Sequence, residues 1–188
     1  MAVLEIVAFF KNSREIQPVK EYSASFVPLN IHNNIKKSCI ALFLGEVLGS
    51  VLKEEIPNKE LFEFIEESVV YLDTVGEPFT NFHIGFLAGL SSYLGFEPDK
   101  TRNEKGCYFD LVNGNFCVIP PQHGNYANSD VSEILHSFFN SSFGAIMSFP
   151  LSGSVRNEVL DTLIRYYSLH LPGLKKIKSL EILHEVFS

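Results

Sequence analysis

Apolar residues recur at steps of three and four along most of this chain. Ile40, Phe43, Leu44, Val47, Leu48 and Val51 follow the i, i+3, i+4, i+7 rule and predict a helix. Asn33 or Asn34 stands ready to cap it, because a short amide side chain accepts from the first free backbone N–H groups. Pro57-Asn58 interrupts the rhythm, and Leu61, Phe62, Ile65, Val69 and Leu72 resume it with Glu63, Glu66 and Glu67 facing outward. Gly76-Glu77-Pro78 breaks the chain again before a third stripe of Phe79, Phe82, Phe86, Leu87, Leu90 and Leu94. Gly95 falls where a helix takes its left-handed last residue, Phe96 is placed to fold back on the helix, and Pro98 follows. A fourth helix carries Val131, Ile134, Leu135, Phe138 and Phe139, with Ser129 or Asp130 as its cap and Glu133 placed for a capping box. Ser141 to Ser154, rich in Ser and Gly, reads as a loop. Val159, Leu160, Leu163, Ile164, Tyr167 and Leu171 form a fifth stripe that Pro172-Gly173 stops. Ser179 then opens a last helix whose Leu180, Leu183 and Phe187 point inward.

Two stretches keep a different period. Val3 to Phe10 is β-branched and aromatic, Asn12-Ser13 marks a turn, and Glu15 to Tyr22 alternates weakly. This predicts a β-hairpin, with Pro18 confining the second strand to an edge or a bulge. A lone hairpin is marginal in water and needs a surface to lie on. Further on, Cys107 to Val112 and Asn115 to Ile119 flank Asn113-Gly114, a two-residue hairpin signal in which both turn residues take positive φ. The expected fold is mainly α: about six helices with one small β-hairpin, preceded by another. Its expected core is Phe43, Val47, Phe62, Ile65, Phe82, Phe86, Leu90, Phe138, Leu163 and Tyr167.

Composition narrows the class. A chain of 188 residues with 46% hydrophobic content and 17 Phe supports one real core, with room for a small appendage. A net charge of −7 argues against a whole surface built for nucleic acid. Three cysteines without paired spacing point to a reducing compartment rather than a disulfide framework. With no long apolar run and no basic leader, the expectation is a cytoplasmic protein with no membrane span. The chain has no phosphate-binding glycine loop and no nucleophile elbow. His83 and His136 lack acidic or thiol neighbours at a ligand spacing and His170 sits near the Pro-Gly stop, where an imidazole favours the helix C-terminus, so all three read as structural, and Glu54-Glu55 and Glu66-Glu67 read as solvated faces. An unrelated helical adaptor with a Phe-lined groove for a partner remains an alternative. A His-dependent hydrolase ranks below both.

Several longer strings carry a resemblance. Arg165-Tyr-Tyr-Ser-Leu-His-Leu-Pro172, followed by Lys178-Ser-Leu-Glu-Ile-Leu183, is similar to the C-terminal end of the bacterial recombination mediator RecO. Leu42 to Leu48, Asn58-x-x-Leu-Phe62, Asn81-Phe-His83 and Tyr93-Leu-Gly-Phe-x-Pro98 resemble the first three helices of that family's helical domain. Leu4 to Glu21 resembles the final hairpin of the OB-fold barrel that precedes this domain. The resemblance implies residues 1–26 as the remnant of a barrel. It implies 27–188 as a helical domain with a hairpin insertion at 106–119.

The resemblance also implies partners and a non-catalytic role. Members bind single-stranded DNA-binding protein (SSB), RecR and single-stranded DNA, and so promote RecA loading and strand annealing in DNA repair at the nucleoid. An acidic SSB tail ending in Phe needs an apolar slot and cations. Phe82, Phe86, Leu87 and Leu90 are the expected slot, and Lys53, Arg156 and Arg165 the expected cations, for the SSB tail or RecR. Lys175, Lys176 and Lys178 are the expected DNA contacts, weakened because most of the barrel is missing. Many members carry two Cys-x-x-Cys pairs that hold zinc. Here only Cys107 and Cys117 stand near the hairpin, with His123 beyond, so no cofactor is expected.

Overall fold

The computed structural model describes residues 1–14, 16–52, 57–101 and 106–187. The chain opens with β1 (Val3–Ala8) and β2 (Val19–Phe26), paired antiparallel with Val3 opposite Phe26 and Ala8 opposite Val19. Ile6 and Tyr22, opposite each other, and Val7, which points to the other side, are all exposed, so both faces of the ribbon lie open among the described residues. The helical part begins three residues after the hairpin ends. Its elements are α1 (Leu29–Asn33), α2 (Ile35–Val51), α3 (Lys59–Thr74) and α4 (Phe82–Tyr93), then α5 (Ser129–Phe139), α6 (Phe143–Met147), α7 (Gly153–His170) and α8 (Ser179–Phe187).

All six expected helices form, and two short ones join them. α6 lies inside the stretch that reads as a loop, and it buries Ile146 and Met147. Five residues are too few for a helical period to show. Asn34 caps α2 through its side-chain oxygen, which accepts from the Lys36 and Lys37 amides, and Asn58 caps α3 by accepting from Leu61 N. The cap of α5 is Asn128, not Ser129 or Asp130: its oxygen accepts from Val131 N at 2.9 Å. Glu133 is not part of a capping box there but accepts the Gly106 amide at 3.4 Å.

α4 is the axis of the core. It is apolar on every side, which is the signature of a fully surrounded helix. Phe82, Ile84, Phe86, Leu87 and Leu90 are all sealed from solvent. Neighbours come close to its backbone: a Cβ at Gly85 would sit 3.1 Å from Ile146 Cγ2, and one at Gly89 would sit 3.1 Å from the Phe64 ring. Phe43, Val47, Phe138, Leu163 and Tyr167 complete the core as expected. Phe62 does not belong to it, being 54% exposed, and Ile65 is only partly buried. Both line a hollow with Leu52 and Pro57, and Ile65 also packs against the core.

The hairpin insertion is a small sheet of three strands, β3 (Tyr108–Asp110), β4 (Asn115–Cys117) and β5 (Tyr126–Ala127), in the order β4-β3-β5. Its turn differs from the expected two-residue form. Gly114 has φ of +64°, while no residue other than glycine has positive φ among the described residues. Four residues, 111–114, bridge the strands, closed by Gly114 N donating to Asp110 O at 2.9 Å. The Asp110 carboxylate receives Val112 N, Asn113 N and Asn113 Nδ2, which favours the longer turn. Among the described residues, no helix is long and apolar enough to cross a membrane.

Candidate partner-binding surfaces

The expected Phe slot is closed. Phe82 and Phe86 stack in line (6.5 Å), Phe64 stacks on Phe86 (5.2 Å), and Tyr167 Oη donates to Leu87 O at 2.6 Å. Phe82, Phe86, Leu87 and Leu90 are therefore core residues with no face left for a ligand. Periodicity marks an apolar stripe but does not say whether protein or partner covers it.

Arg156 is buried as well. Its Nε donates to Asn81 Oδ1 (3.0 Å), Nη1 to Phe187 O (3.0 Å) and Nη2 to Leu151 O (2.8 Å). Asn81 Nδ2 in turn donates to Ile146 O and Phe149 O. This network ties α4, α6, α7 and the end of α8 together, and it leaves the guanidinium unable to meet a partner. Arg165 is exposed, but it anchors the turn before β5 through Gly124 O (3.2 Å) and Asn125 Oδ1 (2.5 Å). Lys53 lies outside the described residues. Lys175, Lys176 and Lys178 are all exposed in the connection between α7 and α8, with Lys176 Nζ 3.5 Å from Glu181.

That connection borders a groove the sequence reading missed. A cavity of about 690 Å³ lies between α1, α2 and α8, with Met1, Leu42, Gly45, Ile182 and Lys178 in its wall. Leu42 is 57% exposed and Ile182 43%. Its edge is fixed by Glu46, whose carboxylate receives Lys178 N (2.8 Å), Ser179 N (2.8 Å) and Ser179 Oγ (2.6 Å). Glu46 thus caps α8 from another helix, and the Ser179 hydroxyl holds its carboxyl below the usual range. A signal for the groove existed: Leu42 falls between the core positions Ala41 and Phe43, an apolar residue too many for one stripe. A second hollow, of about 450 Å³, is lined by Leu52, Pro57, Asn58, Lys59, Phe62 and Ile65.

The histidines serve the fold. His170 stacks on Phe96 (5.3 Å) with Nε2 3.0 Å from Leu111 O, and His136 meets Phe116 edge-on. Phe96 folds back as expected through its amide, which donates to Ser91 O at 3.2 Å after Gly95 with φ of +80°, and its ring also packs on Tyr166, Tyr167 and His170 of α7. His83 is buried between Phe43 and Phe187, and its Nδ1 has no hydrogen-bond partner among the described residues. Burial first, then the charges of Arg156 and His184, push it down to about 3. His184 Nε2 lies 3.1 Å from Asp161 Oδ1.

The residues near the hairpin do not fit zinc. Cys107 is buried, Cys117 Sγ donates to Tyr108 O at 3.4 Å, and His123 Nε2 sits 3.2 Å from Asp110 Oδ1. Among the described residues, no three His, Cys, Asp or Glu side chains gather as metal ligands.

Comparison with known proteins agrees with this architecture. The family model described as "Recombination protein O C terminal" matches residues 32–181. The chain is 38% identical, over its whole length and 78% of the relative's, to "DNA repair protein RecO" of Azobacteroides pseudotrichonymphae. It is 34% identical to proteins of the same name from Bacteroides fragilis and Flavobacterium johnsoniae, again over its whole length and over 78% and 77% of theirs.

Proposed function

The chain belongs to the RecO family of DNA repair proteins, and from that premise we propose that it is a non-catalytic recombination mediator that docks the tail of SSB, works with RecR and holds single-stranded DNA weakly. The observation that carries the docking step is the groove between α2 and α8. Its floor is apolar, Leu42 and Ile182 stand open to solvent, and Lys178 with Lys175 and Lys176 supplies cations beside it. An acidic peptide ending in Phe needs this pairing: an apolar seat for the ring and ammonium groups for the carboxylates. The groove takes over the role expected of Phe82, Phe86, Leu87 and Leu90. RecR as a partner rests on family membership alone.

The open ribbon β1–β2 is proposed as the last two strands of an OB-fold barrel, which supports the division at residues 26 and 27. The apolar residues on both its faces would then be covered by further strands. In this reading the protein works in the cytoplasm, at the nucleoid.

Titration of a labelled peptide copying an SSB tail tests the docking step. Binding should weaken about tenfold or more in Ile182→Glu, which puts a like charge in the seat, and several-fold in Lys178→Gln. Unchanged affinity in both variants would overturn the placement.

A further inference from the structure

The hollow beside α3 lies apart from the α2–α8 groove, and the helix surface next to it carries carboxylates where the rim of the groove carries lysines. Phe62 stands 54% exposed at its mouth, and Leu52, Pro57 and Ile65 form its walls. An open ring beside an apolar hollow offers a seat for one large apolar side chain of a partner. The neighbouring surface of α3 is a ridge of carboxylates. Glu66 is one turn from Phe62 on the same helix, and Glu60, Glu63 and Glu67 continue the ridge outward. Among the described residues, the cation at the rim is Lys59, and it is held by Glu63 at 3.3 Å. From Glu60 to Asp99 the sequence has eight carboxylates and no Lys or Arg.

We propose that this hollow is a docking site for a basic amphipathic segment of another protein, which seats one large apolar side chain against Phe62 and lays Lys or Arg along the α3 carboxylates. Charge decides the occupant. The ridge repels an acidic tail or a phosphate backbone, and it attracts a cationic helix or strand that can pair with several carboxylates at once. The hollow supplies the desolvated anchor that rim charges alone lack. The molecule then has two docking faces of opposite sign: α2–α8 for acidic partners, α3 for basic ones.

The test uses the full chain and two labelled synthetic peptides, one repeating Leu and Lys on an amphipathic pattern and one with Glu in place of Lys. At physiological ionic strength the basic peptide should bind and the acidic one should not bind at this face. Phe62→Ala should weaken the basic peptide about tenfold or more, and Glu63→Lys with Glu66→Lys should do the same. Ile182→Glu should leave it unchanged, which separates this site from the SSB-tail groove. A chemical-shift map on the unaltered chain gives a readout that needs no variant: shifts centred on Leu52, Phe62 and Ile65 support the proposal. Shifts centred elsewhere, or basic-peptide binding indifferent to Phe62→Ala, would overturn it. A concentration-dependent dimer abolished by Phe62→Ala would also overturn it, because the occupant would then be a second copy of the chain.

Discussion

Arg156 shows how a charge turns structural. A guanidinium presents five donors in a planar fork, and here the fork reaches an amide oxygen and two main-chain carbonyls from three separate segments. Lysine carries the same charge but not the fork. Arg156→Lys should therefore cost about 2–3 kcal/mol, since buried acceptors are left unpaired. Urea denaturation measures it; a loss below about 0.5 kcal/mol would mean the network is not a stabilising one. His83 gives a pH signature. An unfolded histidine takes its proton near 6.5, while His83 in the folded protein refuses it until about pH 3. Between those values protons bind the unfolded chain preferentially, so the stability present above pH 6.5 is lost as pH falls toward 3. His83→Phe removes the titrating group and keeps an aromatic ring between Phe43 and Phe187. The stability gap between variant and parent should shift in favour of the variant by about 1.4 kcal/mol per pH unit below 6.5. Parallel acid limbs in urea midpoints from pH 7 to 4.5 would contradict this assignment.

At the scale of elements, α8 depends on a contact that no local rule reveals. Its first amides are capped by Glu46, 132 and 133 residues away in sequence from Lys178 and Ser179. Glu46→Ala should leave the core folded but fray α8, at a cost of about 1 kcal/mol, because the half-buried carboxylate acts as the cap of that helix and its charge is partly screened by solvent. Hydrogen exchange would show the first turn of α8 losing protection while α4 keeps it; uniform loss across both would refute a local role. This contact also marks what the sequence made legible. The six long helices were readable because each repeats its stripe over two turns or more, and Asn58 and Gly95 are punctuation with a local mechanism. The short helices α1 and α6 carry too few residues for a period, and β5 has only two. The Asp110 side chain lengthened the Asn113-Gly114 turn by bonding the amides beside it, a choice that depends on one carboxylate rather than on the turn dipeptide. The site was the least legible part. The sequence shows that Phe82 and Phe86 are apolar and periodic, but whether other segments cover them is decided by tertiary packing, and Phe64, Tyr71 and Phe143 do cover them. Leu42 and Ile182 were left out because they stand off the main stripes, whereas Phe62 keeps the α3 spacing and so reads as core although it is exposed.

For the whole molecule, charge and the open ribbon set what DNA binding to expect. A stacking platform for single strands takes a broader sheet than the two-stranded ribbon β1–β2 seen among the described residues. The helical part offers Lys175, Lys176 and Lys178 as a local cationic patch, with Lys176 partly engaged by Glu181. Against it stands a net charge of −7, which salt screens beyond roughly 8 Å at physiological strength. Three lysines neutralise at most about three phosphates, so the logarithm of the binding constant should fall with the logarithm of salt at a slope of about −2 for single strands. Binding of a labelled oligonucleotide should thus be measurable at low salt and nearly lost at physiological salt. Lys175→Gln with Lys176→Gln and Lys178→Gln should abolish the remainder and flatten the slope. The SSB-tail peptide, titrated in parallel, should keep most of its affinity at physiological salt, because its Phe is seated in an apolar groove that salt does not weaken. DNA binding that stays tight at physiological salt in the triple variant would refute this picture, and would place a strand-binding surface on helices that otherwise carry an excess of carboxylates.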